Sequence, residues 1–234
     1  MSARGTLGRP SLHLRTTAST NDRARALAQA GAPHGTLVTA AQQTAGRGRQ
    51  GRTWSAPAHR ALLCSVVIRR PRVLLPLIAA VATADAIGQE AAIKWPNDVL
   101  VDGRKVAGIL VEGRPQEGWA VCGIGINVAV RPEDLSPALH DGAGTLARQP
   151  ADVEAVLTRL LGALEHRLDQ DATQIRQAWG ARDALRGRQV RWAGGRGRAQ
   201  GIDGGGRLVV ERADGRRETL GAGEVHLQRA GTPG

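Results

Sequence analysis

Phenylalanine and tyrosine are absent from this 234-residue chain, and five tryptophans are its only aromatic side chains. Lysine is almost absent as well: of 32 basic residues, only Lys94 and Lys105 are lysines. Arginine, alanine and glycine abound instead, a pattern that looks like coding bias. That bias supplies a bland origin for the formal charge of +11 and weakens the nucleic-acid reading such a charge raises. It also marks the two lysines, because a chain that otherwise spells its positive charge as arginine keeps an ammonium where a compact cation is required. Cys64 and Cys122 are too few for a disulfide framework. Each sits in an apolar run and reads as a buried, reduced thiol of a cytosolic protein. No run of 18 uncharged apolar residues exists, which argues against a membrane-spanning helix. The opening "MSARGTLGRPSLHLR" lacks the apolar core of a secretory signal. The six histidines form no metal-ligand spacing, and neither GxSxG nor GxxxxGK[ST] occurs. Metalloenzyme, serine-hydrolase and P-loop readings fall away.

What is present is an alternation of strand-like and helix-like segments. Residues 12–17, 35–43 and 61–70 read as strands, and 18–31 as a helix capped by Ser19 or Thr20, with Asp22 in its first turn. Residues 73–90 form an apolar helix that tolerates Pro76 near its start. Three strands are expected over 91–130, two of them joined at Asp102-Gly103, the strongest short hairpin signal available. Residues 151–168 place Val153, Val156, Leu157, Leu160, Leu161, Leu164 and Leu168 on one stripe of an amphipathic helix. From about 184 the pattern changes to short β-like runs between glycine-rich turns: 189–193, 198–202, 207–213, 216–220 and 224–228. These read as a small antiparallel barrel. Two domains follow, 1–183 and 184–234. Neither repeats nor heptads are found.

Three stretches carry chemistry. On strand 121–128, alternation puts Cys122, Ile124, Ile126 and Val128 on one face and Gly123, Gly125 and Asn127 on the other. Two bare glycines beside an amide resemble a floor for a flat ligand, since glycine weakens a strand unless something must approach closely. In "IKWPNDVLVDGRKVAGILVEG" (93–113), Lys105 alternates with Ala107, Ile109 and Val111, a lone ammonium on an apolar face that needs an anionic partner. Asp98 there is placed to hold a metal ion or pair with Lys94. Finally, "GRGRQGR" (46–52) alternates glycine with arginine just before Trp54. A second apolar strand follows it, so it lacks the strand–loop–helix context of a dinucleotide site. It suits a segment that closes over an anion, with arginine forks for phosphate or carboxylate and an indole for stacking.

At these residues the chain resembles the biotin–protein ligase family. The resemblance rests on "STN" (19–21), "QTAGRGRQGRTW" (43–54), "KWPNDVLVDGRKVAGIL" (94–110) and "GIGINV" (123–128), in that order, with a small β domain behind them. It implies an α+β fold with a class II synthetase-like mixed sheet, flanking helices and a C-terminal SH3-like β-barrel. It implies a two-step reaction as well: biotin and MgATP give biotinyl-5′-AMP, and the acyl group passes to a lysine of a biotin carboxyl carrier protein. The implied biotin contacts are Ser19, Thr20, Asn21, Gln43, Arg47, Gly48, Arg49 and Lys105, with the backbones of Gly46, Gly108, Gly123 and Gly125. The resemblance puts Arg52, Trp54 and Asn127 against ATP or the adenylate, and Lys94, Asn97 and Asp98 near its phosphates and Mg2+. Lys105 and Arg49 would be catalytic, offsetting repulsion between biotin carboxylate and α-phosphate.

Two departures stand out. Gln50 occupies a position where the family's loop usually carries another arginine. Only about a dozen residues precede the first strand, so the family's DNA-binding domain is not expected, nor is repressor activity. In the barrel Trp192 is the only aromatic, too few for a groove that takes proline-rich ligands. The resemblance allows both monomer and homodimer, in the cytoplasm and off the membrane. The rival within the fold is a lipoate or octanoate ligase, which has no use for a polar set such as Ser19, Thr20 and Gln43. From another class, a basic nucleic-acid-binding module would bind with steep salt dependence and indifference to biotin.

Overall fold

The computed structural model describes residues 6–135, 137, 142–221, 223 and 225–227. The outer ends of both expected domains, and Glu224 and Gln228 of the last expected strand, lie outside them. The chain runs β1 (Ser11–Thr17), α1 (Thr20–Gln29), β2 (Leu37–Gln43), β3 (Ala61–Arg69), α2 (Leu75–Ile87), β4 (Ala92–Lys94), β5 (Asp98–Val101), β6 (Arg104–Arg114) and β7 (Trp119–Asn127). Then come α3 (Val153–Leu168), α4 (Ala172–Gly180), β8 (Gln189–Trp192), β9 (Gly195–Ile202), β10 (Leu208–Glu211), β11 (Arg217–Leu220) and β12 (His226–Leu227).

The first seven strands form one mixed sheet in the order β1-β2-β3-β7-β6-β5-β4. Only β1 and β2 pair in parallel; the others are antiparallel. Asp102 (φ 51°) and Gly103 (φ 74°) make the β5–β6 turn, both in the left-handed region that a two-residue hairpin of this type requires. Region 91–130 holds four strands rather than the three expected, the extra one being the three-residue β4.

The two faces of the sheet are covered unequally. On one, α2 is apolar all round and buried along nearly its whole length, as a helix without a polar stripe must be. It is backed by α3, whose Val156, Leu157, Leu160 and Leu164 are buried. α4 was not expected. Its signals are short: Ile175 and Trp179 one turn apart, and a capping box in which Asp171 accepts from the Thr173 and Gln174 amides. On the other face, ten-residue α1 seats Ala24 and Ala28 against Val38, Val67 and Val121. Beside it on that face lies a cleft.

The five C-terminal strands form an antiparallel sheet ordered β11-β10-β9-β8-β12. Its Val190, Ala199, Leu208, Val210, Leu220 and Val225 belong to the same hydrophobic core as α2 and the large sheet. Trp95 Nε1 donates to the Gly206 carbonyl at 3.1 Å, tying this unit to the turn after β4. A side chain on Gly206 would run into Leu77, and its φ of +80° suits glycine in any case.

Candidate active site

The sheet beside α1 is the floor of this cleft of about 490 Å3, within the range of small-molecule sites. Alternation on β7 runs as expected, with Gly123, Gly125 and Asn127 on this side. Gly108 of β6 is the direct cross-strand partner of Gly125, and Ser65 of β3 that of Gly123. Something flat does lie on the glycines, and it is the chain's own. A methyl on Gly125 would meet Trp54 ring atoms at 2.6–2.9 Å, and one on Gly108 would meet the same ring at 3.0 Å. A methyl on Gly123 would fall 2.0 Å from Asn21 Oδ1.

One end of the cleft is a wall of neutral polar groups at the start of α1. Ser19 sits at the N-cap position, yet its side chain makes no capping bond. It is buried and lines the cleft. Thr20 gives its backbone N–H (2.7 Å) and hydroxyl (3.0 Å) to Gln43 Oε1. The Ser65 hydroxyl lies 2.8 Å from Thr20 Oγ1 and 2.6 Å from Asn21 Oδ1. Asn21 Nδ2 reaches the Leu110 carbonyl at 3.3 Å and Glu112 Oε2 at 2.7 Å. Ser65 and Glu112 escaped the sequence reading: one hides inside "ALLCSVVI", the other at the end of "GILVEG". Alternation from Gly123 across the sheet would have pointed to Ser65.

Lys105 marks the other end, and the expected face for it was wrong. Val99 pairs with Ala107 whereas Leu100 pairs with Lys105, so Val106 is an extra residue, a β-bulge. The bulge turns Lys105 off the apolar face of Ala107 and Ile109 and onto the glycine face. There its Nζ is 3.4 Å from where a Gly108 methyl would be, and 5.7 Å from the Trp54 ring centroid, within cation–π reach. Its anionic partner is Asp98, at 2.6 Å. Asp98 therefore pairs with Lys105 rather than with Lys94, although Lys94 is its backbone partner across β4–β5. The bulge explains both outcomes.

The loop between β2 and β3 roofs the cleft. Arg47 bridges to Thr53, the Trp54 amide donates to the Gly46 carbonyl, and residues Arg49–Gly51 form a tight 3-10 turn. Gln50 lies at the tip, exposed, with φ 56° and ψ 38°. Gly46 is required by closeness, since a methyl there would be 2.3 Å from the Trp54 carbonyl oxygen. Gly48, Arg49 and Arg52 line the cleft as expected. Arg47 does too, but its Nη2 is engaged by Asp22 Oδ1 (2.7 Å) and Glu112 Oε2 (2.9 Å). That nitrogen is held by protein carboxylates, while Nε is buried without a partner.

Past Lys105 the cleft is lined by Lys94, Asn97, Asp98 and Asn127, and by Val225, His226 and Leu227 of the C-terminal unit. Asn97 spends its amide on the Ile109 carbonyl (2.9 Å), pinning the Pro-Asn-Asp turn to β6. Asn127 Nδ2 donates to the Gly144 carbonyl, leaving Oδ1 buried without a partner; Trp54 Nε1 is buried and unpartnered as well. An orphan acceptor and an orphan donor on the cleft wall call for a polar ligand. Among the described residues Asp98 is the only carboxylate lining the cleft, and no group of three or more His, Cys, Asp or Glu could hold a metal. Cys64 also lines it, but burial pushes its thiol far above the ordinary range, so it is no nucleophile.

Residues 14–128 match the biotin/lipoate A/B protein ligase family, and residues 187–227 the biotin protein ligase C terminal domain. The chain is 37% identical over 235 residues to the biotin–[acetyl-CoA-carboxylase] ligase of Mycobacterium tuberculosis, covering 91% of this chain and 87% of that one. It is 35% identical over 228 residues to the bifunctional ligase/repressor BirA of Bacillus subtilis, covering 87% and 70%. The structure of biotin protein ligase from Aquifex aeolicus in complex with biotin and ATP matches with a TM-score of 0.79 at 25% identity, covering 95% of this chain and 100% of that one. The mixed sheet with flanking helices and the SH3-like C-terminal unit are those of this fold, and the chain belongs to the biotin protein ligases of the biotin/lipoate A/B protein ligase family.

Proposed function

We propose that this chain joins biotin to a biotin carboxyl carrier protein in two steps, through biotinyl-5′-AMP. The observation that carries the reading is the polarity of the cleft. A neutral donor–acceptor wall of Ser19, Thr20, Asn21 and Gln43 stands at one end of a glycine floor, and Lys105 at the other. A cyclic urea with an aliphatic acid has that order of groups: a neutral ring that gives and takes hydrogen bonds, an apolar stem, then an anion. A lipoyl or octanoyl chain would leave the buried wall unpaired, which costs more than the missing bonds alone.

In the first step a biotin carboxylate oxygen attacks the α-phosphorus of ATP. A P–O bond forms, the bond to the β-phosphate oxygen breaks, and pyrophosphate leaves. Both reactants are anionic. Lys105 and Arg49 would offset that repulsion and meet charge growing on non-bridging oxygens. The Asp98 carboxylate holds Lys105 in place until the substrate anions arrive. Arg52, Trp54 and Asn127 would receive the nucleotide, with the orphan Oδ1 of Asn127 accepting from it. Asp98, with phosphate oxygens and water, would hold Mg2+, which commonly keeps only one or two carboxylates; Lys94 and Asn97 lie beside it. When bound, the ion would neutralise the departing pyrophosphate. In the second step the acceptor lysine, as the free amine, attacks the acyl carbon. An amide forms, the C–O bond to AMP breaks, and the amine's proton is released. The loop over the cleft keeps water from the mixed anhydride meanwhile.

Residues 1–183 would carry the chemistry and 184–234 complete the cleft wall. Among the described residues no helix is long and apolar enough to cross a membrane, and the proposed setting is the cytoplasm, as monomer or homodimer. The test is ATP-dependent transfer of labelled biotin, against labelled lipoate, to a carrier domain. Wild type should transfer biotin alone, and Lys105→Ala should lose roughly 100- to 1,000-fold in rate while melting near the wild-type temperature. Transfer of lipoate in preference to biotin would overturn the assignment.

A further inference from the structure

Glu112 touches both the polar wall and the loop, although it does not itself line the cleft. It shares the ligand face of β6 with Gly108 and Leu110, beyond the Leu110 carbonyl that Asn21 reaches. Its Oε2 accepts from Asn21 Nδ2 at 2.7 Å and from Arg47 Nη2 at 2.9 Å. The same Arg47 nitrogen reaches Asp22 Oδ1 at 2.7 Å, and Asp22 is also paired with Arg25. Resting on the proposed function, we infer that Glu112 is a positioning residue: it fixes the orientation of the Asn21 amide and ties the stem of the Gly-Arg loop to the sheet.

The first half of this role follows from donor and acceptor counting. An ionised carboxylate only accepts, so the Asn21 NH2 must face Glu112 and its Oδ1 must face Ser65. The Ser65 proton is then drawn toward Asn21 Oδ1, while Thr20 gives its own hydroxyl proton to Gln43. One carboxylate outside the cleft thus sets the direction of the hydrogen bonds through Asn21 and Ser65. Without it only the longer 3.3 Å bond to the Leu110 carbonyl holds the amide, and the wall presents a less fixed pattern of donors and acceptors to a ureido ring.

The second half concerns which part of the loop moves. Arg47 is gripped from two elements, by Asp22 on α1 and Glu112 on β6. Closure is therefore confined to the tip, residues 48–53. That leaves Arg47 as the pin of the loop's stem.

Two substitutions separate the halves. Glu112→Gln puts one neutral oxygen where Oε2 takes both bonds, so Asn21 keeps its acceptor while Arg47 loses a charged one; Glu112→Ala removes both contacts. The readouts are KM for biotin, kcat, and the rate at which trypsin cuts the ligand-free loop after Arg47, Arg49 or Arg52, scored by fragment mass. Glu112→Ala should raise KM for biotin about tenfold with kcat within twofold, the loss expected for one hydrogen bond to a charged group. It should also speed loop cleavage at least threefold. Glu112→Gln should speed cleavage by less than Glu112→Ala does and leave KM within about twofold. The inference is overturned if Glu112→Ala leaves KM and cleavage within twofold of wild type, or if KM, kcat and melting temperature all worsen together. The tryptic arm needs no biotin: a wild type that ignores biotin counts against the proposed function, unchanged cleavage against the tie.

Discussion

Gly123→Ala puts the design of the polar wall to a quantitative test, because two effects of opposite sign meet at one atom. Gly123 lies in a strand with φ outside the left-handed region, so alanine there should by itself gain about 0.5–1 kcal/mol from reduced backbone entropy. Against this, the new methyl would lie 2.0 Å from Asn21 Oδ1, 2.7 Å from its Cγ and 2.9 Å from its Nδ2. The amide must move by more than 1 Å, judged against ordinary contact distances near 3.5–4 Å. It then loses the 2.6 Å bond from Ser65 and the 2.7 Å bond to Glu112. A neutral bond contributes about 1 kcal/mol net and one to a charged group about 1.5–3 kcal/mol. The clash therefore wins, and the expected net loss is about 2 kcal/mol. Urea denaturation followed by tryptophan fluorescence measures it, and calorimetry should show biotin affinity falling with it. The control is the same change on an Asn21→Ala background, where the clash is gone and the strand gain of about 0.5–1 kcal/mol should emerge. A Gly123→Ala protein as stable as wild type, or a loss that persists without Asn21, would refute the reasoning.

Three further outcomes follow from other parts of the molecule. The nearest atoms to a methyl in Gly125→Ala belong to the Trp54 ring, a loop side chain able to move away, so stability should change by less than about 1 kcal/mol while biotin affinity drops roughly tenfold; calorimetry and urea melts check both. Burial lowers the pKa of His34 from its ordinary 6.5, outweighing an opposite pull from Glu165. The unfolded chain then takes the proton first, so stability should fall as pH drops through about 6.5 and stop falling below the folded pKa. His34→Asn, which can still accept from the Arg69 amide, should flatten that slope; an identical slope would refute it. Cys64 and Cys122 are both buried, and burial raises the Cys122 thiol to about 12. Iodoacetamide should therefore leave both unmodified in the native protein and label both together on unfolding; rapid native labelling of either would refute their burial.

The parts of the site legible in the sequence were those that follow from period two and from turn chemistry. The glycine face of β7 came from alternation, and the β5–β6 hairpin from Asp102-Gly103. Alternation misled at Lys105 because a bulge at Val106 leaves no local mark, yet it moves the side chain to the opposite face. The same shift hid the Lys105–Asp98 pair, whose members lie seven residues apart across a hairpin. Nothing in "GRGRQGR" shows that Asp22 and Glu112 converge on Arg47 from other elements. Ser65 and Glu112 were missed for a common reason: each is one polar letter in an apolar strand, and its partner is set by sheet order. α4 was missed differently, since its capping box at Asp171 and Gln174 was there to be read.

The indole of Trp54 has a thermodynamic consequence for every ligand of the cleft. It rests on Gly108 and Gly125 beside Lys105, on the part of the sheet that α1 is too short to shelter. A molecule that takes this floor exchanges one covering for another instead of filling a void. Its measured affinity is a difference between two occupants, and the protein's own is tethered and always at hand. Weakening the internal competitor should therefore tighten a ligand that needs only the floor, and loosen one that also needs the indole. Under the proposed function, biotin alone and the full adenylate would fall on opposite sides of that divide.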